Sequence, residues 1–127
     1  MLTIVFGSPG AGKTTLAARY TKQFLKQNIP VYGNAEIVGM IPFPLEKLGK
    51  VTPPAGSVVI VDEAGIEYNN RKYKTLPQKT IEWFKLHRHY GVDIIVLSQS
   101  WEDMDITLRR LADKLVYIRK LGAGLTI

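Results

Sequence analysis

The sequence predicts an α/β fold, a three-layer sandwich around a mainly parallel five-stranded sheet. Three observations carry that expectation. Short apolar runs alternate with segments of helical periodicity along the whole chain. Two of the runs, Val58 to Val61 and Ile94 to Leu97, are apolar throughout, as strands covered on both faces are. The intervals between runs have room for right-handed crossovers, which parallel neighbours require. With 127 residues the chain is expected to form one domain, residues 1–127. Its 46% hydrophobic and 22% charged residues are a globular balance rather than a disordered one.

Taken in order, Leu2 to Phe6 is the first strand. The helix after it, about Lys13 to Gln27, has Leu16, Tyr20 and Phe24 on one stripe and Arg19, Lys22 and Lys26 on another. Pro30 to Asn34 is a short second strand. Ile37 to Pro54 holds Pro42, Pro44, Pro53 and Pro54, so it is expected to be irregular with at most one helical turn. Val58 to Val61 is the third strand, and a polar loop from Gly65 to Thr75 leads to a helix from about Pro77 to Tyr90, stopped by Gly91. Its inner stripe is Leu76, Thr80, Phe84 and His87. Val92 to Leu97 is the fourth strand. Ser100 with Asp103 reads as a capping box for a helix whose inner face is Met104, Leu108 and Leu111, and Leu115 to Ile118 is the fifth strand.

Every apolar run is too short to cross a bilayer, and the first leads straight into Gly7 and Ser8 rather than into a cleavage site. Leu121 to Ile127, with Gly122 and Gly124, reads as the start of a further segment, so the chain is expected to be part of a longer one. Cysteine is absent, which excludes disulfides and thiolate metal sites. The excess of 17 Lys and Arg over 11 Asp and Glu, net +6, favours polyanionic partners.

The chemistry concentrates at three strand ends. Gly7-Ser8-Pro9-Gly10-Ala11-Gly12-Lys13-Thr14 fits G-x-x-x-x-G-K-[ST] at every fixed position, between a strand and a helix. The glycines allow a tight wrap that aims backbone amides at phosphate oxygens beside a positive helix terminus. Lys13 then reaches the β and γ phosphates and Thr14 supplies a hydroxyl to Mg²⁺, with Thr15 as a neighbour in the loop. Asp62 and Glu63 end the third strand, where ligands of open α/β sheets sit. Asp62 is the expected Mg²⁺ ligand, and Glu63 the group that accepts a proton from the water attacking the γ phosphate. Ser98 and Gln99 end the fourth strand in the same way. If that strand lies between the first and third, Gln99 comes to the γ phosphate and orients the water.

Other features are weaker. His87 and His89 lie two apart on a helix and so face different ways, which excludes a shared zinc. His87 is expected to be a satisfied core histidine. A ring-forming ATPase needs a guanidinium lent by a neighbouring subunit, for which Arg71, Arg88, Arg109 and Arg110 are available and Arg88 and Arg109 are preferred. Arg109 also has a local partner in Asp105, four residues earlier. Between Arg71 and His89, basic residues interleave with Tyr73 and Trp83, and Tyr68 lies just before; this pattern suits single-stranded DNA, with the alternative that the face is merely solvated and Trp83, next to Phe84, packs against the sheet.

Together the Gly7 to Thr14 loop, the Asp62-Glu63-Ala64 strand end, Arg71, the run HRHYGVDI from His87 to Ile94, and the Ser98-Gln99 strand end resemble the zonular occludens toxin family, which includes the assembly ATPases of filamentous phages. The resemblance implies a P-loop NTPase of the additional-strand, catalytic-glutamate type, related to FtsK-HerA motors, with ATP and Mg²⁺ as the bound species. It further implies a homo-oligomer, phage assembly or membrane proteins as partners, and a cytoplasmic domain at the host inner membrane that powers virion export. Members typically continue into a membrane-spanning segment and an outer domain, which these residues do not include, so any toxin-like activity has nothing here to carry it. Two other functions fit the phosphate loop: a small nucleotide or metabolite kinase, and a non-hydrolysing nucleotide-binding scaffold. A kinase has less use for Glu63 beside Asp62.

Overall fold

All five apolar runs form strands in the computed structural model, which describes residues 1–8, 11–62, 78–99, 104, 106–121 and 124–126. The elements are β1 (Leu2–Phe6), α1 (Lys13–Lys26), β2 (Val31–Gly33), β3 (Ile41–Pro42), a 3-10 turn (Leu45–Lys47), β4 (Val58–Asp62), α2 (Gln78–Leu86), β5 (Asp93–Ser98), α3 (Ile106–Leu111), β6 (Lys114–Tyr117), β7 (Arg119–Leu121) and β8 (Gly124–Thr126).

The main sheet runs β3-β2-β4-β5-β1-β6, with every neighbouring pair parallel. It therefore has six strands where the sequence predicted five. The addition is β3, two residues at the edge beyond β2. Two residues cannot display a periodicity, and Pro42 lacks an N–H, a loss that only an edge position tolerates. Near the C-terminus β7 and β8 pair with each other, antiparallel, as a separate two-stranded sheet. β5 lies between β1 and β4, the insertion on which the expected position of Gln99 depended.

Burial on both faces explains why the central runs are apolar at every position. Leu2, Ile4, Val59, Val61, Ile94 and Val96 belong to one core, whereas Val5, Val58, Ile60, Ile95 and Leu97 belong to the other. Consecutive residues of a strand alternate between the two. Leu16 and Ala17 of α1 cover the second core, and Trp83 and Phe84 of α2 with Leu108 of α3 cover the first. These are the three layers. Each fully buried Val, Leu or Ile contributes roughly 1.5–3 kcal/mol relative to exposure.

α2 is shorter than its sequence suggested, ending at Leu86 rather than Tyr90. The amides of His87, His89 and Gly91 bond carbonyls three residues back (Phe84, Leu86 and Arg88), so the last turns tighten into 3-10 geometry before the chain reverses at Gly91. His87 is buried, as its stripe predicted, and its Nδ1–H donates to the Phe84 carbonyl at 2.5 Å. Its Nε2 has no partner among the described residues, so the expectation of a satisfied histidine is met on one nitrogen only. Trp83 is 3% exposed and packs edge-to-face on Phe84. A ring so buried cannot stack on a nucleic-acid base, which removes Trp83 from the single-strand platform considered above. Its apolar position in α2 decides the matter. The polar loop and both of its tyrosines, Tyr68 and Tyr73, lie outside the described residues, as do Ser100, Asp103 and Asp105.

Candidate functional site

In a parallel sheet all C-terminal strand ends lie on one rim, and here that rim gathers the ends of β1, β4 and β5. The register puts Phe6 opposite Ser98 and Asp62 opposite Leu97. The Gly7 amide donates to the Ser98 carbonyl at 3.1 Å and fixes the start of the glycine-rich loop to the end of β5. Within the loop, the Ala11 amide donates to the Ser8 carbonyl at 3.0 Å. Pro9 and Gly10 lie outside the described residues.

Gly12 is the N-cap of α1 with φ 105°, a left-handed conformation that costs a residue with a Cβ about 1 kcal/mol or more. Having no side chain, it leaves the first-turn amides uncapped, and that turn holds no acidic residue. Among the described residues the helix start therefore presents uncapped N–H groups and a positive dipole end. Lys13 opens the helix and its Nζ donates to the Gly7 carbonyl at 2.5 Å. Burial holds the Lys13 ammonium below the ordinary lysine pKa, and the negative charge of Asp62 partly opposes that shift. Lys13 and Asp62, far apart in sequence, are thus within electrostatic reach. Thr14 and Thr15 follow on the exposed side of the first turn.

Asp62 is half-buried at the last position of β4. Its amide donates to Asn34 Oδ1 at 2.6 Å and its carbonyl accepts from Asn34 Nδ2 at 3.0 Å. The sequence shows Asn34 only as the last residue of the short second strand, with no role at the site; the β2–β4 pairing alone reveals that role. Gln99 is exposed immediately beyond β5, between the ends of β1 and β4. Glu63 and Arg71 lie outside the described residues.

The two preferred arginines are elsewhere. Arg88 follows α2 before β5 begins, at the opposite rim, where its guanidinium donates to Asp113 Oδ1. Asp113 Oδ2 also accepts the Leu2 amide at 2.8 Å. That amide bond, with Arg88 and other nearby positive charges, outweighs burial and holds the Asp113 carboxyl below the usual range. Arg109 is half-buried in α3. His87 is buried and His89 exposed, and among the described residues no three His, Asp or Glu side chains cluster as a metal site.

The rim combines uncapped amides, an ammonium, hydroxyls and a carboxylate, which suits a polyanion accompanied by a hard cation. Comparisons with known proteins bear on the family and the fold. A family model described as zonular occludens toxin matches residues 41–126, more than half the chain, and starts after the glycine-rich loop. Protein ORF301 of Pseudomonas phage Pf3, described as an assembly protein, is 27% identical over 109 residues, 79% of this chain and 36% of that protein. The chain thus spans about a third of that relative's length. Among solved structures, the N-terminal domain of zonular occludens toxin from Neisseria meningitidis superposes with a TM-score of 0.61 at 22% identity, covering 97% of this chain and 78% of that one. The genome packaging NTPase B204 from Sulfolobus turreted icosahedral virus 2, in complex with ATP-gammaS, gives 0.67 at 14% identity, covering 96% and 76%. The flagellar accessory protein FlaH from Methanocaldococcus jannaschii gives 0.61 at 13% identity, covering 98% and 74%. The fold is that of the P-loop NTPases.

Proposed function

Because the chain belongs to the zonular occludens toxin family, we propose that it is a phage-assembly ATPase domain that binds and hydrolyses Mg²⁺-ATP. The observation that carries this reading is the meeting, on one rim, of an uncapped helix start at Gly12, the Lys13 ammonium and the Asp62 carboxylate. The loop amides and Lys13 bind and orient the triphosphate. Thr14 and Asp62 offer the hard oxygen donors that Mg²⁺ prefers, and when bound the ion would neutralise phosphate charge. Glu63 takes a proton from the attacking water as the new O–P bond forms on the γ phosphorus and the β–γ bridging bond breaks, releasing ADP. Gln99 holds that water in line.

Hydrolysis becomes fast on assembly, because an arginine from a neighbouring subunit, Arg88 or Arg109, supplies positive charge on the open side of the site. Arg88 must leave Asp113 to do so. The net charge of +6 supports a polyanionic partner, single-stranded DNA in this reading. Residues 1–127 are then the ATPase domain of a longer, membrane-anchored assembly protein, a reading supported by the greater length of ORF301. No helix among the described residues is long and apolar enough to cross a membrane.

One assay tests the reading. Phosphate release is measured from ATP alone, with candidate phosphate acceptors, and with single-stranded DNA. Release from ATP alone is expected, with a turnover per subunit that increases with protein concentration or with DNA. Transfer to an acceptor in place of release identifies a kinase, and binding without turnover under every condition identifies a scaffold.

A further inference from the structure

The rung between Gly33 and Ile60 is the last that β2 and β4 make with their backbones. Gly33 permits that close approach, since a Cβ there would stand 2.5 Å from the Ile60 carbonyl oxygen. The Gly33 carbonyl faces the other neighbour, β3, and accepts the Phe43 amide at 2.8 Å, and β2 ends there. One residue on, the half-buried Asn34 continues the ladder with its side chain, joined to both the N–H and the C=O of Asp62. The two bonds fix the amide's orientation. A flipped amide would set N–H against N–H and oxygen against oxygen.

Asp62 is therefore gripped on both sides of its Cα at the point where β4 ends and a free backbone would fray. The carboxylate hangs from that Cα at the same rim as the start of α1, and its placement depends on the backbone being held. A half-buried amide and carbonyl left without partners would also be costly. We propose that Asn34 is a positioning residue, which sets the Asp62 carboxylate for the divalent cation that accompanies the nucleotide. This rests on the nucleotide reading above. The partners that orient metal ligands typically matter by roughly 10- to 100-fold in metal affinity or activity.

The test uses Asn34→Ala, with Asn34→Ser as a second variant should the first fold poorly, and Val38→Ser as a control. Val38 lies in the same loop and is 96% exposed. Amide hydrogen exchange at Asp62 reports the grip without any ligand. Fluorescent mant-ATP, titrated with Mg²⁺ or held in EDTA, reports its consequence. In the Asn34 variants the Asp62 amide should exchange at least tenfold faster. The Mg²⁺ concentration for half-maximal effect should rise about tenfold or more, while mant-ATP binding in EDTA, which depends on the loop and Lys13, stays at the parent value. Val38→Ser should match the parent throughout. Unchanged Mg²⁺ dependence in a variant whose Asp62 amide has lost protection overturns the proposal and leaves Asn34 a purely structural role. Unchanged exchange overturns the grip itself. A parent protein that fails to bind mant-ATP removes the nucleotide reading and with it the function assigned to Asn34, whereas the exchange result still reports the contact.

Discussion

Replacing Lys13 by Ala gives the sharpest test of the phosphate site. In the structure the Lys13 ammonium, at the start of α1, donates a hydrogen bond to the Gly7 carbonyl and feels the negative charge of Asp62. Exchanging that carbonyl for a phosphate oxygen puts a full charge on the acceptor. A charge-assisted hydrogen bond contributes about 1.5–3 kcal/mol. At about 1.4 kcal/mol per tenfold, Lys13→Ala should weaken ATP binding by roughly 10- to 150-fold. Folding should suffer little. The lost bond to Gly7 is charge-assisted and contributes about 1.5–3 kcal/mol, and release from holding a desolvated ammonium offsets much of it. The same burial has a signature in pH. Because the folded-state pKa of Lys13 is lowered, the unfolded chain binds more protons between that value and the ordinary one of about 10.4, so stability contributed by this group rises as pH increases through that window. Lys13→Met should flatten the rise. Titration calorimetry with Mg²⁺-ATP gives the affinity, and thermal melts at pH 7 and above give the stability. An Ala variant that melts like the parent and binds ATP as tightly would refute the assignment of Lys13.

Other substitutions probe the remaining parts. Glu63→Gln should bind ATP at the parent affinity but release phosphate at least about 100-fold more slowly, since the amide cannot accept a proton; parental turnover would exclude Glu63 from the mechanism. Mixed with an Arg88→Ala or Arg109→Ala subunit, the Glu63→Gln protein should restore activity that neither has alone, increasingly at higher protein concentration. Constant turnover per subunit on dilution, without complementation, would mean the domain works as a monomer. Phe84 is fully buried, so Phe84→Ala should cost roughly 3–5 kcal/mol and lower Tm by about 10–20 °C at this chain length; a denaturant melt showing under about 1 kcal/mol would contradict the packing described. Asp113 titrates below the ordinary aspartate value, chiefly through the Leu2 amide bond. Its stabilising effect is complete above about pH 4 and disappears as pH falls through the lowered folded-state value. Asp113→Asn should therefore melt below the parent at pH 7, with the gap closing in acid, and a gap that widens toward low pH would reverse the sign of this argument.

What the sequence by itself determined was local and periodic. Apolar runs located the strands, the stripe through Thr80, Phe84 and His87 fixed the buried face of α2, and the glycine-rich loop between a strand and a helix pointed to the proposed phosphate site. These follow from the alternation of strands and the pitch of helices, which every residue registers on its own short segment. Trp83 shows the limit of composition. As a member of a basic, aromatic stretch it suggested an exposed platform, yet helical pitch puts it beside Phe84 against the sheet, and burial prevailed because the core gains the whole ring. Tertiary structure alone decided the rest. Pairing across the sheet joins Asn34 to Asp62, and the chain reversal at Gly91 carries Arg88 to Asp113 at the rim opposite the phosphate loop. A strand of two residues at the sheet edge has no period to display. Contacts between residues distant in sequence depend on strand order and register, which are set by how complete faces pack together, and no single stretch of the chain records that.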